Sequence, residues 1–259
     1  MKQKHCLRLV ILDYPKNGCD SPVVRKIFGD MVFTKQVNFA RSSDSYVSMS
    51  GLDMISSHVL IYDQFDLAAP KLIGAARICY RSRADKHQLR LPVDDYIDFV
   101  PPEYRIKFKE FSSEHKELVD ANAWFVDPEY TFSNTGLKIS EMIFFGLLQF
   151  MVRKGHTRWV GASNEKYKAS RWALPTGTTE DGMIFKHPKV PDPHKLLLFK
   201  SLNYDWLTEC TERYHELLNN SYEVLCGSDD PSGSACSVEE FLIRLNELRA
   251  RGVGAPIAA

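Results

Sequence analysis

Apolar positions along the chain gather into a few dense runs separated by long polar stretches. The densest run, Ile139 to Val152, is apolar at nearly every angular position and carries the strong helix formers Leu147, Leu148, Gln149 and Met151. A helix that is apolar all round has no face for water, so this one is predicted to lie buried at the centre of the domain. Val119 to Asp127 ahead of it, and Gly155 to Ser163 behind it, read as strands. Between the first strand and the helix lies a polar loop, Thr131 to Lys138.

The flanking pattern fills in the plan. Leu7 to Leu12 reads as a strand that closes on the turn-rich segment Asp13 to Gly18. Ser21-Pro22 opens a helix with Val24, Ile27, Phe28 and Met31 on its apolar face. Residues 38–57 show no clean period and read as a long connection. His58 to Asp63 and Lys71 to Tyr80 are predicted to pair as an antiparallel hairpin. A short helix is expected from about Glu103 to Phe111, another over Asn164 to Trp172, and an amphipathic one over Asp205 to Asn219. Met183 to Phe185 and Lys195 to Phe199 read as closing strands. Gly227 to Ala235 has linker composition, and Ser237-Val238-Glu239-Glu240 is a capping box that opens a last helix. The boundaries expected are a main domain over 1–202, a packed helix over 203–226, a linker over 227–236, a terminal helix over 237–251 and a disordered tail over 252–259. A chain cut after Cys226 is therefore expected to keep its core fold.

Composition narrows the function classes. A chain of 259 residues, 44% hydrophobic, has ample material for a core. With 33 basic and 33 acidic residues, binding to nucleic acid by bulk electrostatics is excluded. The six cysteines form no C-x-x-C pair, so no metal site is expected, and Cys6 and Cys79 read as buried free thiols. The first apolar run is broken by Arg8 and ends at Asp13, too short for a signal peptide. The apolar helix contains Glu141 and is shorter than a membrane span. A cytoplasmic location is expected.

Two stretches carry candidate chemistry. Ser133, Asn134, Thr135 and Gly136 stand just before the buried helix, whose first N–H groups lack internal partners and whose dipole favours anions. Gly136 lets backbone approach closely and Lys138 adds a positive charge, so the loop suits a phosphate. An ordinary capped helix start, with Ser133 or Thr135 as N-cap, is the other reading. Arg77 stands in a run of small and apolar residues, where a charge must be paired or face a cleft. Strand alternation puts Ile73, Ala75 and Arg77 on one face, with room beside the guanidinium for a carboxylate. A purely structural pair with Asp53 or Asp63 competes with that role.

Arg25 and Phe28 on the first helix, Gly51-Leu52-Asp53 before a strand, and Gly74-Ala75-Ala76-Arg77 on the next strand carry a resemblance. Over roughly Val23 to Leu202 the chain resembles GNAT-type acyltransferases, and within them the acyl-homoserine-lactone synthases and N-acyl amino acid synthases. It departs from that family where Ser50 replaces an acidic residue, and where Ala121-Asn122-Ala123-Trp124 replaces Glu-x-x-Arg. The resemblance implies an α/β, three-layer GNAT-like fold, with a central mixed, mainly antiparallel sheet flanked by helices and C-terminal helices added. It implies transfer of a fatty acyl group from an acyl thioester, on acyl carrier protein or coenzyme A, to the amine of an amino acid or derivative. The donor, acyl-CoA or acyl-phosphopantetheine, is then a substrate, with no tightly bound cofactor. The implied acceptor residues are Arg25, Phe28, Asp53 and Arg77. Those for the donor are Val126, Ser133, Asn134, Thr135, Gly136 and Lys138. Asp120, Trp124, Phe125 and Tyr167 are the catalytic candidates, backbone N–H groups near 122–126 polarising the carbonyl and Tyr167 protonating the leaving thiolate. A catalytically silent binding module and a short-chain acetyltransferase that uses acetyl-CoA are the alternatives.

Overall fold

The computed structural model describes residues 5–43, 49–64, 69–114, 117–168, 170–180, 184–188, 192–226 and 238–251. In chain order the elements begin with β1 (Leu7–Asp13), α1 (Pro22–Ser43), α2 (Gly51–Ile55), β2 (Ser57–Asp63) and β3 (Lys71–Tyr80). Three helices follow, α3 (Arg81–Lys86), α4 (Pro92–Tyr96) and α5 (Pro102–Ser113). Then come β4 (Val119–Val126), α6 (Phe132–Thr135), α7 (Ile139–Arg153), β5 (Trp159–Asn164) and α8 (Ser170–Ala173). The chain continues through β6 (Gly177–Glu180), β7 (Ile184–Phe185), β8 (His194–Leu202), α9 (Tyr204–Arg213), α10 (His215–Asn219), β9 (Tyr222–Leu225) and α11 (Val238–Ala250). The linker 227–235, the cap at Ser237 and the tail 252–259 lie outside the described residues.

Two compact units emerge, each drawn from separate stretches of the chain. The first comprises Met1–Ile78, Ala123–Leu147 and Cys210–Val238. Its strands run in the order β9-β1-β2-β3, with β1, β2 and β3 antiparallel and β9 parallel to β1. Every residue of β2 is buried, consistent with its unbroken apolar run between two partners. α1 lays Val24 and Met31, with Ile27 and Phe28, onto a core that includes Val10, Leu12, Leu60, Tyr62 and Leu72. Gly74 has a packing reason: a Cβ there would stand 2.8 Å from Ile143 and 2.9 Å from Ile139, so only a glycine lets α7 come this close to β3.

The second unit comprises Cys79–Asn122, Leu148–Glu209 and Glu239–Ala259. Here β5 and β8 are antiparallel, β6 and β7 both pair with β8, and β4 meets β5 in parallel through the single pair Asp120–Val160. Trp159 and Phe199 face each other across β5 and β8 with stacked rings 3.8 Å apart. α11 buries Phe241, Leu245 and Leu248, and Arg249 pairs with Asp205 of α9 at 2.9 Å. A cut after Cys226 would remove these three buried side chains.

In each unit the strand pairing is mixed and mainly antiparallel, as the resemblance implied. α7 is buried as its all-round apolar pattern predicts: Ile143, Phe145, Leu148 and Met151 have no exposed surface. Several local expectations need correction. α1 runs on to Ser43, through what reads as a loop, because Lys35 and Asn38 are buried on the same face as its apolar residues. The predicted helix 164–172 is broken: β5 extends to Asn164, a 3-10 turn follows over Glu165–Tyr167, and α8 begins only at Ser170. The helix over 205–219 is interrupted at Tyr214. Cys6 is exposed, just ahead of β1, whose burial begins only at Leu9, whereas Cys79 is buried as expected.

Candidate functional site

In the first unit α1 and α2 meet β2 and β3 around one carboxylate. Asp53, fully buried on α2, accepts from Lys35 Nζ at 2.7 Å and from Arg77 Nη1 at 2.8 Å through the same oxygen, Oδ1. Its other oxygen accepts from the Ser50 backbone N–H at 2.9 Å, the reach-back bond of a capping box. Arg77 also donates to Ser50 Oγ at 3.3 Å. Burial alone would raise the Asp53 carboxyl. Arg77 and Lys35 outweigh it and hold the group down at about 2, so it is ionised at any ordinary pH. His58 of β2 is packed behind: Asp53 O lies 2.7 Å from its Nε2, and Phe28 meets its ring edge-on at 6.3 Å. Burial, with the charges of Arg77 and Lys35 added, pushes His58 down to about 4 against the opposing pull of Asp53, leaving it neutral.

Asp53 and Arg77 are thus brought together, with Phe28 one ring away. Arg25 is not in this cluster; its side chain lies exposed on α1. The cation that α1 delivers is Lys35, which the sequence reading missed. The signal was there: Val24, Phe28, Met31 and Lys35 are spaced four, three and four apart, so Lys35 continues the buried stripe.

The donor candidates form a continuous path from β4 to α7. β4 is buried from Val119 to Asn122 and half-buried from Ala123 onward, and Ala123 is left-handed at φ 51°. A non-glycine residue held there breaks the regular strand and carries strain. Beyond the break, Asp127 N–H donates to Ile73 O at 2.8 Å. Strand alternation therefore turns the N–H groups of Trp124 and Val126 to the edge away from β3. Trp124 rests edge-on against Phe144 at 4.6 Å. The loop then makes one helical turn, α6, which ends on Gly136 at φ 75°. Nothing lies within 4 Å of a Cβ placed on Gly136, so backbone geometry, not crowding, requires the glycine. Thr135 Oγ1 accepts from the Leu137 N–H, and α7 starts at Ile139.

The first turn of α7 carries Glu141, which gathers Lys138 at 3.4 Å, Arg213 Nη1 at 2.5 Å and the Tyr214 hydroxyl at 2.5 Å. Burial raises this carboxyl, but Tyr214 and Arg213 bring it below the usual range. Lys138 is therefore shared with a neighbouring carboxylate in this structure.

Asp120 and Tyr167 belong to the second unit. Asp120 is buried and committed: Oδ2 accepts from the Val93 N–H at 2.8 Å and Oδ1 from the Asn122 amide at 3.1 Å. That is the setting of a structural carboxylate. Tyr167 ends the 3-10 turn after β5, and its side chain lies outside the described residues. Among the described residues no His, Cys, Asp or Glu group is arranged to hold a metal, and no helix is long and apolar enough to cross a membrane.

No protein-family model matches the sequence, and no curated protein matches it. Similarity is found among solved structures. A CoA-dependent acyl-homoserine lactone synthase, BjaI, with MTA, is 8% identical, with a TM-score of 0.53 over 94% of this chain and 100% of that one. The same synthase with SAM and isopentyl-CoA gives 7% identity and a TM-score of 0.53 over 93% and 100%. FeeM, an N-acyl amino acid synthase from uncultured soil microbes, is 14% identical, with a TM-score of 0.47 over 78% and 94%. With its mixed sheet, its parallel β4–β5 pair and the break in β4, the chain has the fold of GNAT-type acyltransferases.

Proposed function

We propose that the chain is an N-acyltransferase, moving a fatty acyl group from an acyl thioester to the amine of an amino acid or amino-acid derivative. The observation that carries this reading is the break at Ala123, which sets the N–H groups of Trp124 and Val126 on a strand edge just ahead of the polar loop and the α7 N-terminus. Donors fixed on that edge suit the oxygen of a thioester carbonyl, whose negative charge grows as an amine attacks. The phosphates of the donor go to the loop, against the backbone and hydroxyls of Ser133, Asn134, Thr135 and Gly136, with Lys138 beside them. An acyl-homoserine lactone synthase of the same fold is described as CoA-dependent, which supports acyl-CoA as donor. Acyl-phosphopantetheine on a carrier protein presents the same thioester arm.

The acceptor reading rests on Arg77, with Phe28 as apolar wall and Arg25 on the exposed side of the same helix. Asp53 holds the Arg77 guanidinium by one nitrogen. A planar guanidinium fixed in place in this way can recognise a carboxylate on the acceptor amino acid. In the reaction the amine nitrogen bonds to the carbonyl carbon, the C–S bond breaks, and the thiolate leaves. With Asp120 committed to Val93 and Asn122, a water relay is the better route for the amine proton. Tyr167 is kept as the acid for the thiolate on the resemblance alone. A cytoplasmic location, where such thioesters are made, belongs to the same proposal.

The test is turnover. Purified protein is mixed with acyl-CoA of graded chain length, or acyl carrier protein, and pooled amino acids. Thiol release is followed with a chromogenic disulfide and products by mass spectrometry. Long-chain acyl amides are expected, and Arg77→Lys is expected to raise the acceptor KM at least tenfold with little change in donor KM. Donor binding without thiol release would identify a silent binding module instead. A preference for acetyl-CoA would identify a short-chain acetyltransferase.

A further inference from the structure

A second buried carboxylate in the first unit, Asp63 at the end of β2, has no part in the chemistry above, yet it collects three donors. It accepts from His5 Nδ1 at 2.6 Å, from the Cys6 backbone N–H at 3.3 Å and from the Tyr130 hydroxyl at 3.1 Å. Tyr130 belongs to the Pro128–Tyr130 turn, which leads directly into the loop 131–138. His5 also meets the Tyr130 ring edge-on at 5.6 Å. Across the hairpin, Lys71 at the start of β3 pairs with Asp127 at 3.1 Å and Glu129 at 2.5 Å, and its Nζ stands 4.9 Å from the centre of the Tyr130 ring.

Apart from the Asp127 N–H bond to Ile73 O, the rest of the loop between β4 and α7 is held by local bonds. Asn134 donates to Pro128 O, Thr135 to Thr131 O, and Glu129 N–H to Asp127 Oδ1. Among the described residues, its long-range side-chain bonds are those from Tyr130 to Asp63 and from Asp127 and Glu129 to Lys71. Lys71 is half-exposed and its pairs are screened by water. Asp63 is buried, so its bond to Tyr130 is the stronger tie. Burial and the neighbouring Asp63 both push the Tyr130 hydroxyl up, so it stays protonated and remains a donor.

We infer that Asp63, acting through Tyr130, is a positioning residue for the loop 131–138. It fixes where the loop leaves β4, and hence how the backbone of Ser133 to Gly136 is presented. The inference rests on the reading of that loop as the donor's phosphate site, and it names the device that sets donor affinity there. The N-terminal residues His5 and Cys6 share the same carboxylate, so they are part of the support.

Tyr130→Phe removes one hydroxyl and keeps the ring, so folding is not at stake. Asp63→Asn serves as the second variant. Two measurements are made on the full chain: amide hydrogen exchange across 131–138, and KM for acyl-CoA alongside KM for the amine. Loss of a hydrogen bond to a buried carboxylate is expected to speed loop exchange about tenfold while leaving α7 protected. Donor KM is expected to rise by a similar factor, with kcat within about twofold and acceptor KM unmoved. Unchanged exchange in both variants would overturn the inference. So would faster exchange with an unchanged donor KM, because the loop would then be anchored by Asp63 without serving the donor. A wild type that releases no thiol would sink the acyl-transfer reading alone. The exchange comparison does not depend on turnover, and acyl-CoA dissociation constants then replace KM.

Discussion

His58 makes the cluster around Asp53 sensitive to acid, and the size of the effect can be worked out. The side chain is buried and its pKa falls from 6.5 to about 4 on folding. Between these values the unfolded chain binds a proton that the folded chain refuses, so stability falls as pH falls. The contribution is present above pH 6.5 and is lost progressively down to pH 4. Going from pH 7 to pH 5 should cost about 2 kcal/mol from this one group. Asp53 acts in the same direction but in a separate window, between its ordinary 3.8 and about 2, and so does not confuse the comparison. His156 is also lowered by burial and adds to the slope in both proteins compared. The assay is urea unfolding at pH 7 and pH 5 for wild type and His58→Gln, whose amide cannot titrate in this range. Wild type should lose about 2 kcal/mol more than the variant over that interval, whatever the variant's own stability at pH 7. Equal losses would refute the reasoning, as would an NMR titration placing the folded-state His58 near 6.5.

Gly177→Ala should be among the most damaging single changes in the second unit. Its φ of 175° is ordinary extended backbone, but a Cβ would stand 1.9 Å from Ser201 O on the paired strand. A loss of about 3 kcal/mol or more is expected, read as a drop in the urea midpoint; a midpoint within experimental error of wild type would show that the β6–β8 register is wrong. Cutting the chain after Cys226 removes Phe241, Leu245 and Leu248 from that unit, roughly 2 kcal/mol each before the ordering cost of the helix is subtracted. The truncated protein should melt at least 5 °C lower, and an unchanged melting temperature would show that α11 contributes nothing to the fold.

What the sequence revealed depended on how local the cause was. β1, β2, β3 and α7 are apolar runs whose periods speak for themselves. β6 is Gly-Thr-Thr-Glu and β9 is Tyr-Glu-Val-Leu; each becomes a strand only because β8 or β1 offers it a backbone edge. The break at Tyr214 was hidden for the same reason. Residues 205–219 carry one helical period, but the Tyr214 hydroxyl is drawn to Glu141 and its ring to Phe145, both distant in sequence. At the candidate site the pairing of Asp53 with Arg77 was anticipated. Lys35 was overlooked because a lysine in the polar half of α1 looks like solvent-facing charge until its heptad spacing is counted. Asp120 looked available because the sequence does not show that Val93, from a separate helix, spends its N–H on that carboxylate.

β9 has a bearing on how the chain comes to be folded in the cell. It lies parallel along Val10 to Asp13 of β1, and Cys226 N–H adds one more bond to Asp13 O. Until the ribosome has delivered residue 225, the stretch Leu-Val-Ile-Leu of β1 offers an open, sticky border to any other nascent chain. The first unit is also stitched from pieces as far apart as Ile11 and Glu223, so it cannot close during early synthesis. Chaperone demand should then fall on the interval before residues 222–225 have emerged. A four-residue strand with little sequence signal thereby covers the border that newly made β1 leaves open.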